Sequence, residues 1–245
     1  MFLLPIFVAP AMWMILIYAC LAVIPAIVLM RYVYNQDRVE HEPAGLLTQL
    51  IFLGALAGFL SMILESIGSA IITPPENLAA PAVSDYFIYY FVVVGCVEEG
   101  TKYLLMGVRT WHDPAFNFRF DGIVYAVFTS LGFAAMENIL YVFQYGASVI
   151  VSRALLSIPG HMAFSVLFGV FYGRAKRASD MGRTGTCVID IIIGYFLASL
   201  LHGVYDTCAS ISSTTSMLVF LAVIVVNYLL CFLVVKNEAR HDEPA

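Results

Sequence analysis

Long, nearly uninterrupted apolar runs constrain this chain more than any other feature. A bilayer core about 30 Å thick is crossed by roughly 20 apolar residues in a helix, and only a helix or a closed barrel satisfies its own backbone there. Windows of that length place spans at about 5–30, 46–72, 86–108, 122–145, 151–174, 186–207 and 216–235. The expected fold is all-α: a polytopic membrane bundle of about seven or eight transmembrane helices. The connections are short, so the expectation is one integral-membrane domain over residues 1–245 with no soluble domain attached. Composition agrees. Charged residues make up 12% of the 245, about half the ~25% of soluble domains, too few to keep such a surface dispersed in water.

The charges that remain are unevenly placed. Arg31 and Arg38, Arg109 and Arg119, the group Arg174, Lys176, Arg177 and Arg183, and finally Lys236 and Arg240 all fall on alternate connections and the C-terminal tail. The opposite connections hold Arg153 alone. By the positive-inside rule this sets the N-terminus outside and the C-terminus in the cytoplasm. The first span lacks the basic start of a cleavable signal peptide and reads as retained; Pro5, Pro10 and Pro25 predict that it is kinked or begins late. Residues 236–245 read as a solvated, frayed tail. With 12 Lys and Arg against 17 Asp and Glu, no basic footprint for nucleic acid exists. The five cysteines show no CxxC spacing and read as apolar fillers.

Ionisable side chains inside spans cost a few kcal/mol each on insertion scales and point to function. The third span carries Glu98, Glu99 and Lys102, the fourth Glu137, the fifth His161, and the sixth His202 and Asp206. Lys102 stands four residues after Glu98 and three after Glu99, so either carboxylate meets the ammonium on one helical face. One ammonium cannot neutralise two buried carboxylates, which leaves a glutamate able to take a proton, as a general base must. His202 and Asp206 also share a face. At about 1.5 Å per residue, Glu98, Glu137, His161 and His202 lie roughly 16, 22, 20 and 24 Å from the side of the basic loops. Four spans thus carry polar groups to a common level, which one shared site explains. Glu65 and Asp190 fall near the two interfaces and read as interfacial; Asn227 reads as interhelical glue. Gly169 and Gly173 read as helix-packing residues.

Carboxylates and imidazoles without a mid-span Ser–His–Asp chain suggest an activated water as nucleophile. In one scheme His161, His202 and a carboxylate, Glu137 or Asp206, hold zinc with an open position while Glu98 or Glu99 takes the water's proton. In the other, without metal, a glutamate polarises water directly and His202 with its neighbours stabilises the oxyanion. HExxH is absent. A proton- or metal-coupled transporter would also use intramembrane Glu, Asp, His and Lys, but the internal repeat common in transporters is missing. A receptor or scaffold leaves four polar spans unexplained.

The motifs E-E-G-T-K at 98–102, F-A-A-M-E at 133–137, His161 followed by G-V-F-Y-G, and H-G-V-Y-D at 202–206 together resemble those of the PrsW intramembrane proteases. The Y-N-Q-D and D-G-I-V-Y-A segments extend the likeness over nearly the whole chain. That family is similar to the CAAX prenyl endopeptidases and bacteriocin-processing enzymes, in which the second motif usually ends in His; here it ends in Glu137. The resemblance implies a protease of a bacterial or archaeal cell membrane. It would make the first, extracytoplasmic-side cut in single-span, membrane-anchored anti-sigma factors, as a metalloprotease or through a glutamate-activated water.

Overall fold

The computed structural model describes the backbone of residues 4–245 and the side chains of residues 13, 17, 18 and 20–245. These residues are almost wholly helical. Helix α1 is Leu4–Tyr34 and α2 is Ala44–Ile71, starting directly after Pro43. A helical run over 83–110 forms α3, built from Val83–Ile88, a π-helical turn Tyr89–Gly95, and Cys96–Thr110. Helix α4 is Asp121–Tyr145 and α5 is Ile158–Asp180, the latter preceded by a second π turn at Arg153–Ser157. Helices α6 (Thr184–Ser210) and α7 (Thr214–Arg240) complete the bundle. Gly182, at φ 72°, reverses the chain between α5 and α6, a left-handed backbone that glycine adopts without a Cβ penalty. Ser213 caps α7 by accepting the Ser216 N–H at 3.0 Å.

Among the described residues, four stretches are long and apolar enough to cross a membrane: Ala44–Asn77, Asp121–Asp180, Thr184–Ser210 and Thr214–Arg240. The count of seven spans is therefore not reached by length and composition, for three physical reasons. Glu98, Glu99 and Lys102 break the apolar character of α3. Helices α4 and α5 fall within a single, nearly continuous helical stretch of 60 residues. The described apolar part of α1 is only Cys20–Tyr34. Neither a break at Pro25 nor a late start is found, for α1 runs as one continuous helix from Leu4 to Tyr34; the side chains of Pro5 and Pro10 lie outside the described ones.

Helix α4 is the axis of the bundle. Its first half is enclosed on every side, with Val124, Tyr125, Ala126, Val127, Leu131 and Ala134 all inaccessible, because α1, α2 and α5 pack around it. A helix buried all round is what an unbroken apolar run such as 122–134 requires. Large apolar side chains lie instead on the outer faces, among them Phe52, Ile71, Leu104, Val108 and Leu218, as expected where lipid is the solvent. Small residues permit the close crossings. A Cβ on Gly122 would come within 2.6 Å of Gly173 N, and one on Gly169 within 2.6 Å of Ile123 Cα, so Gly169 and Gly173 are packing residues between α4 and α5. The α3–α6 crossing depends on Gly95 and Gly203: added Cβ atoms would lie 2.7 Å from Ser199 O and 2.7 Å from Phe91 Cα. This crossing carries Glu98 and Glu99 past His202. Gly203→Val is expected to cost about 1–3 kcal/mol by overpacking, read as a lower melting temperature in detergent; an unchanged melt would mean the helices do not need this approach.

The tail departs from expectation. It is docked, not frayed: Phe118 and Pro244 form a β-bridge, Arg119 N–H donates to Glu243 O at 3.0 Å and Ala245 N–H to Asn117 O at 2.8 Å. Asp242 accepts the Phe120 N–H at 2.9 Å, and Arg119 pairs with Glu238 at 3.3 Å. Unpaired backbone in the 111–120 loop is satisfied by the tail, a pairing that no local sequence signal announces.

Candidate active site

Four helices, α3, α4, α5 and α6, meet at one buried cluster. From α3, Glu98 and Glu99 occupy the first turn after the π segment, and Lys102 follows one turn later. An extra residue in such a turn rotates the side chains that follow it, and π turns recur at functional sites. Lys102 is inaccessible, as is Glu99; Glu98 is 6% exposed. The ammonium lies 2.6 Å from Glu99 Oε1 and 3.4 Å from Glu98 Oε2, so both helical pairings read from the spacing are present at once. It also sits 4.1 Å above the Phe133 ring, an arrangement that stabilises a desolvated cation.

The histidines join from α5 and α6. His202 Nδ1 is 2.8 Å from Glu99 Oε1, and its Nε2 is 3.2 Å from Asp206 Oδ2 and 3.8 Å from Glu98 Oε2. Both ring nitrogens face carboxylate oxygens. His161 differs. Its Nδ1 lies 3.4 Å from Lys102 Nζ, a donor, and its Nε2 3.0 Å from Glu137 Oε2, an acceptor. The ring therefore carries its proton on Nε2 and turns a lone pair toward Lys102. Phe164 stacks on His202 with centroids 4.8 Å apart and fixes the ring plane.

All seven residues expected at the site are thus joined in one network. Its inner group is Glu98, Glu99, His161 and His202, each offering a donor atom within 4.8 Å of the others. Glu137 and Asp206 flank it, each bound to the Nε2 of one histidine. A carboxylate on the far nitrogen of an imidazole orients the ring and raises its basicity.

A cavity of about 670 Å³ lies over this cluster. Glu98, Glu137, His161, His202 and Asp206 reach its wall, whereas Glu99 and Lys102 do not line it. The cavity extends to Glu76 and Ser152, beyond the ends of α2 and α4, and to Ser210, the last residue of α6, toward the connections whose single basic residue is Arg153.

Several residues have a place that the spacing does not disclose. Arg153 binds Glu137 at 2.8 Å and Asn138 Oδ1 at 2.7 Å, its guanidinium over the Tyr141 ring at 3.7 Å. Its being the one basic residue on its side is the available signal. Glu65, expected at the interface without a role, lines the cavity, because α2 leans against α3 and α4. Among the described residues Asn227 makes no interhelical hydrogen bond, and its Nδ2 is buried without a partner. Asp190 pairs with Arg174 at 3.3 Å, and His112 is exposed.

A membrane-embedded helical bundle with carboxylates and imidazoles converging beneath a cavity is the architecture of an intramembrane hydrolase. Comparison with known proteins identifies which. The profile of the PrsW family intramembrane metalloproteases matches residues 42–234, and the chain belongs to that family. Protease PrsW of Bacillus subtilis is 31% identical over 182 residues, covering 74% of this chain and 78% of its own length. The Geobacillus kaustophilus protein of the same name is 32% identical over 184 residues, 75% of this chain and 76% of that one. That of Shouchella clausii is 28% identical over 225 residues, 92% and 97%. No solved structure matches the chain significantly. The protein is a peptidase of the bacterial membrane, and nothing in these relatives favours a transporter.

Proposed function

We propose that this protein hydrolyses a peptide bond in single-span membrane proteins of the anti-sigma-factor type, on the side of the membrane opposite the basic loops, with Glu98 as general base. The observation that carries this reading is the division of the glutamate pair. Glu99 is sealed beneath the cavity between Lys102 and His202, while Glu98 reaches the cavity wall. A substrate strand entering the cavity would bring its carbonyl and a water against Glu98. Glu98 takes the water's proton as oxygen attacks the carbonyl carbon, then returns it to the departing amide nitrogen. His202 Nε2, 3.2 Å from Asp206 at the cavity wall, would exchange that contact for the developing oxyanion. Lys102 and Arg153 offset the four carboxylates Glu98, Glu99, Glu137 and Asp206.

The family's metal fits the donors present. Glu98, Glu99, His161 and His202 lie within ligand reach of one another, and Glu99 Oε2 is buried without a hydrogen-bond partner among the described residues. His161, His202 and Glu99 would hold the ion, with Glu137 and Asp206 orienting the histidines. Zinc held there would supply Lewis-acid polarisation of the water or the substrate carbonyl. Lys102 would compete with it for Glu99. The topology proposed is seven crossings in one domain with the N-terminus outside, supported by the seven helical runs and the alternation of loop charge.

The test is cleavage of a tagged single-span substrate in liposomes by protein purified without chelator, with the metal content measured on the same preparation. Expected is one cut at the cavity-side end of the substrate span and stoichiometric zinc that His161→Ala/His202→Ala loses. An active preparation without metal would assign the step to Glu98 alone. No cut in any single-span substrate, or a cut on the basic-loop side, would overturn the reading.

A further inference from the structure

At the opposite end of the bundle from the active-site cavity lies a second carboxylate cluster. Asp37 and Glu42 come from the loop between α1 and α2, and Asp121 is the first residue of α4. Each offers a carboxylate oxygen within 4.8 Å of the other two. All three are buried, at 2%, 3% and 1% exposure. None forms an ion pair among the described residues: Arg119, on the same side, is engaged with Glu238 and Glu243. Further acids and one imidazole surround the group. His41 and Asp242 face Asp37, and Glu40 faces Glu42.

The hydrogen bonds do not absorb these charges. Glu42 Oε2 accepts from Tyr125 O–H at 2.6 Å, and Asp121 Oδ2 from the Asn117 and Phe118 N–H groups at 3.0 and 2.7 Å. Asp37 Oδ2 is enclosed with no hydrogen-bond partner among the described residues. A buried carboxylate oxygen without a donor, beside two more carboxylates and with no Lys or Arg paired to the group, lacks a bound positive partner. Oxygen-only donors of this charge are what hard cations take, not zinc or copper.

We propose that Asp37, Glu42 and Asp121 form a binding site for a hard divalent cation, Mg²⁺ or Ca²⁺, which clamps the α1–α2 loop to the start of α4. Helix α4 is the bundle axis and carries Glu137 at its far end, so the ion braces the element on which the active site is built. Protons compete with a cation for these carboxylates, so binding weakens toward acid pH.

Melting of the detergent-purified protein at pH 8, with millimolar MgCl2 or CaCl2 against NaCl of matched ionic strength, tests this. Expected is a higher melting temperature with one of the divalent salts, smaller at pH 5, and an affinity lowered about tenfold or more in Asp37→Asn by loss of a charged ligand. Because the active site also contains possible ligands, the shift must persist in His161→Ala/His202→Ala. Indifference to both salts at pH 8 would overturn the proposal. So would an equal shift in Asp37→Asn, or a shift abolished by the two histidine substitutions. Stabilisation by acid alone, the same with and without divalent salt, would mean that the three carboxylates share protons and hold no metal.

Discussion

Glu98→Gln is expected to lower the cleavage rate by roughly two to four orders of magnitude, the usual worth of a general base, while leaving the melting temperature close to that of the parent. The two halves of this result have separate causes. The amide keeps the shape of the side chain at the cavity wall but cannot take a proton. Its structural cost is small because Glu98 contacts Lys102 only at 3.4 Å, and the ammonium retains Glu99 at 2.6 Å. Glu99→Gln should behave differently. It weakens the closest partner of Lys102 and the 2.8 Å contact of His202 Nδ1, so activity and stability should fall together. Rate measured with melting on the same samples separates the roles. Full activity in Glu98→Gln, or an equal loss of stability in both variants, would sink the assignment of Glu98 as the base.

Lys102→Met carries the largest expected effect on stability. Removing one member of a buried ion pair leaves an uncompensated charge and costs about 3–5 kcal/mol. Here the ammonium, itself inaccessible, serves Glu98, Glu99 and the lone pair of His161 together. The loss should be reduced in Lys102→Met/Glu99→Gln, which removes one of the stranded charges, and a double-mutant cycle measures that coupling. Neither protein should cleave substrate. A single variant that melts like the parent would show that the glutamates do not depend on the ammonium, and would undo the charge balance drawn for the site.

Much of this site is legible in the order of the residues alone. Helix spacing is local: residues three and four apart share a face wherever the helix lies, so the pairing of Lys102 with both glutamates and of His202 with Asp206 can be read directly. The apolar runs mark the helices, since an isolated apolar segment has no other backbone arrangement that survives in lipid. The charge asymmetry of the loops marks one end of the bundle. The four polar spans at a common depth point to one site because buried ionisable groups are costly apart and tolerable together.

What the sequence leaves open depends on how the helices are rotated and how closely they cross. The π turn at Tyr89–Gly95 and the Gly95–Gly203 approach decide which glutamate faces the cavity and which is sealed against His202. They act between elements about a hundred residues apart, which no local pattern encodes. Arg153 reads as a topology marker in the sequence, and only the fold brings it to Glu137. The tail reads as free, and only the fold pairs it with the 111–120 loop. Asp37, Glu42 and Asp121 are single acids in separate segments, each ordinary alone, and only the packing of α1, α2 and α4 makes them a buried triad. The sequence by itself determined the helices and the chemistry each one carries, because both follow from short-range spacing and hydropathy. The tertiary structure alone decided which of those groups meet, because that depends on backbone contacts where glycine lets helices touch.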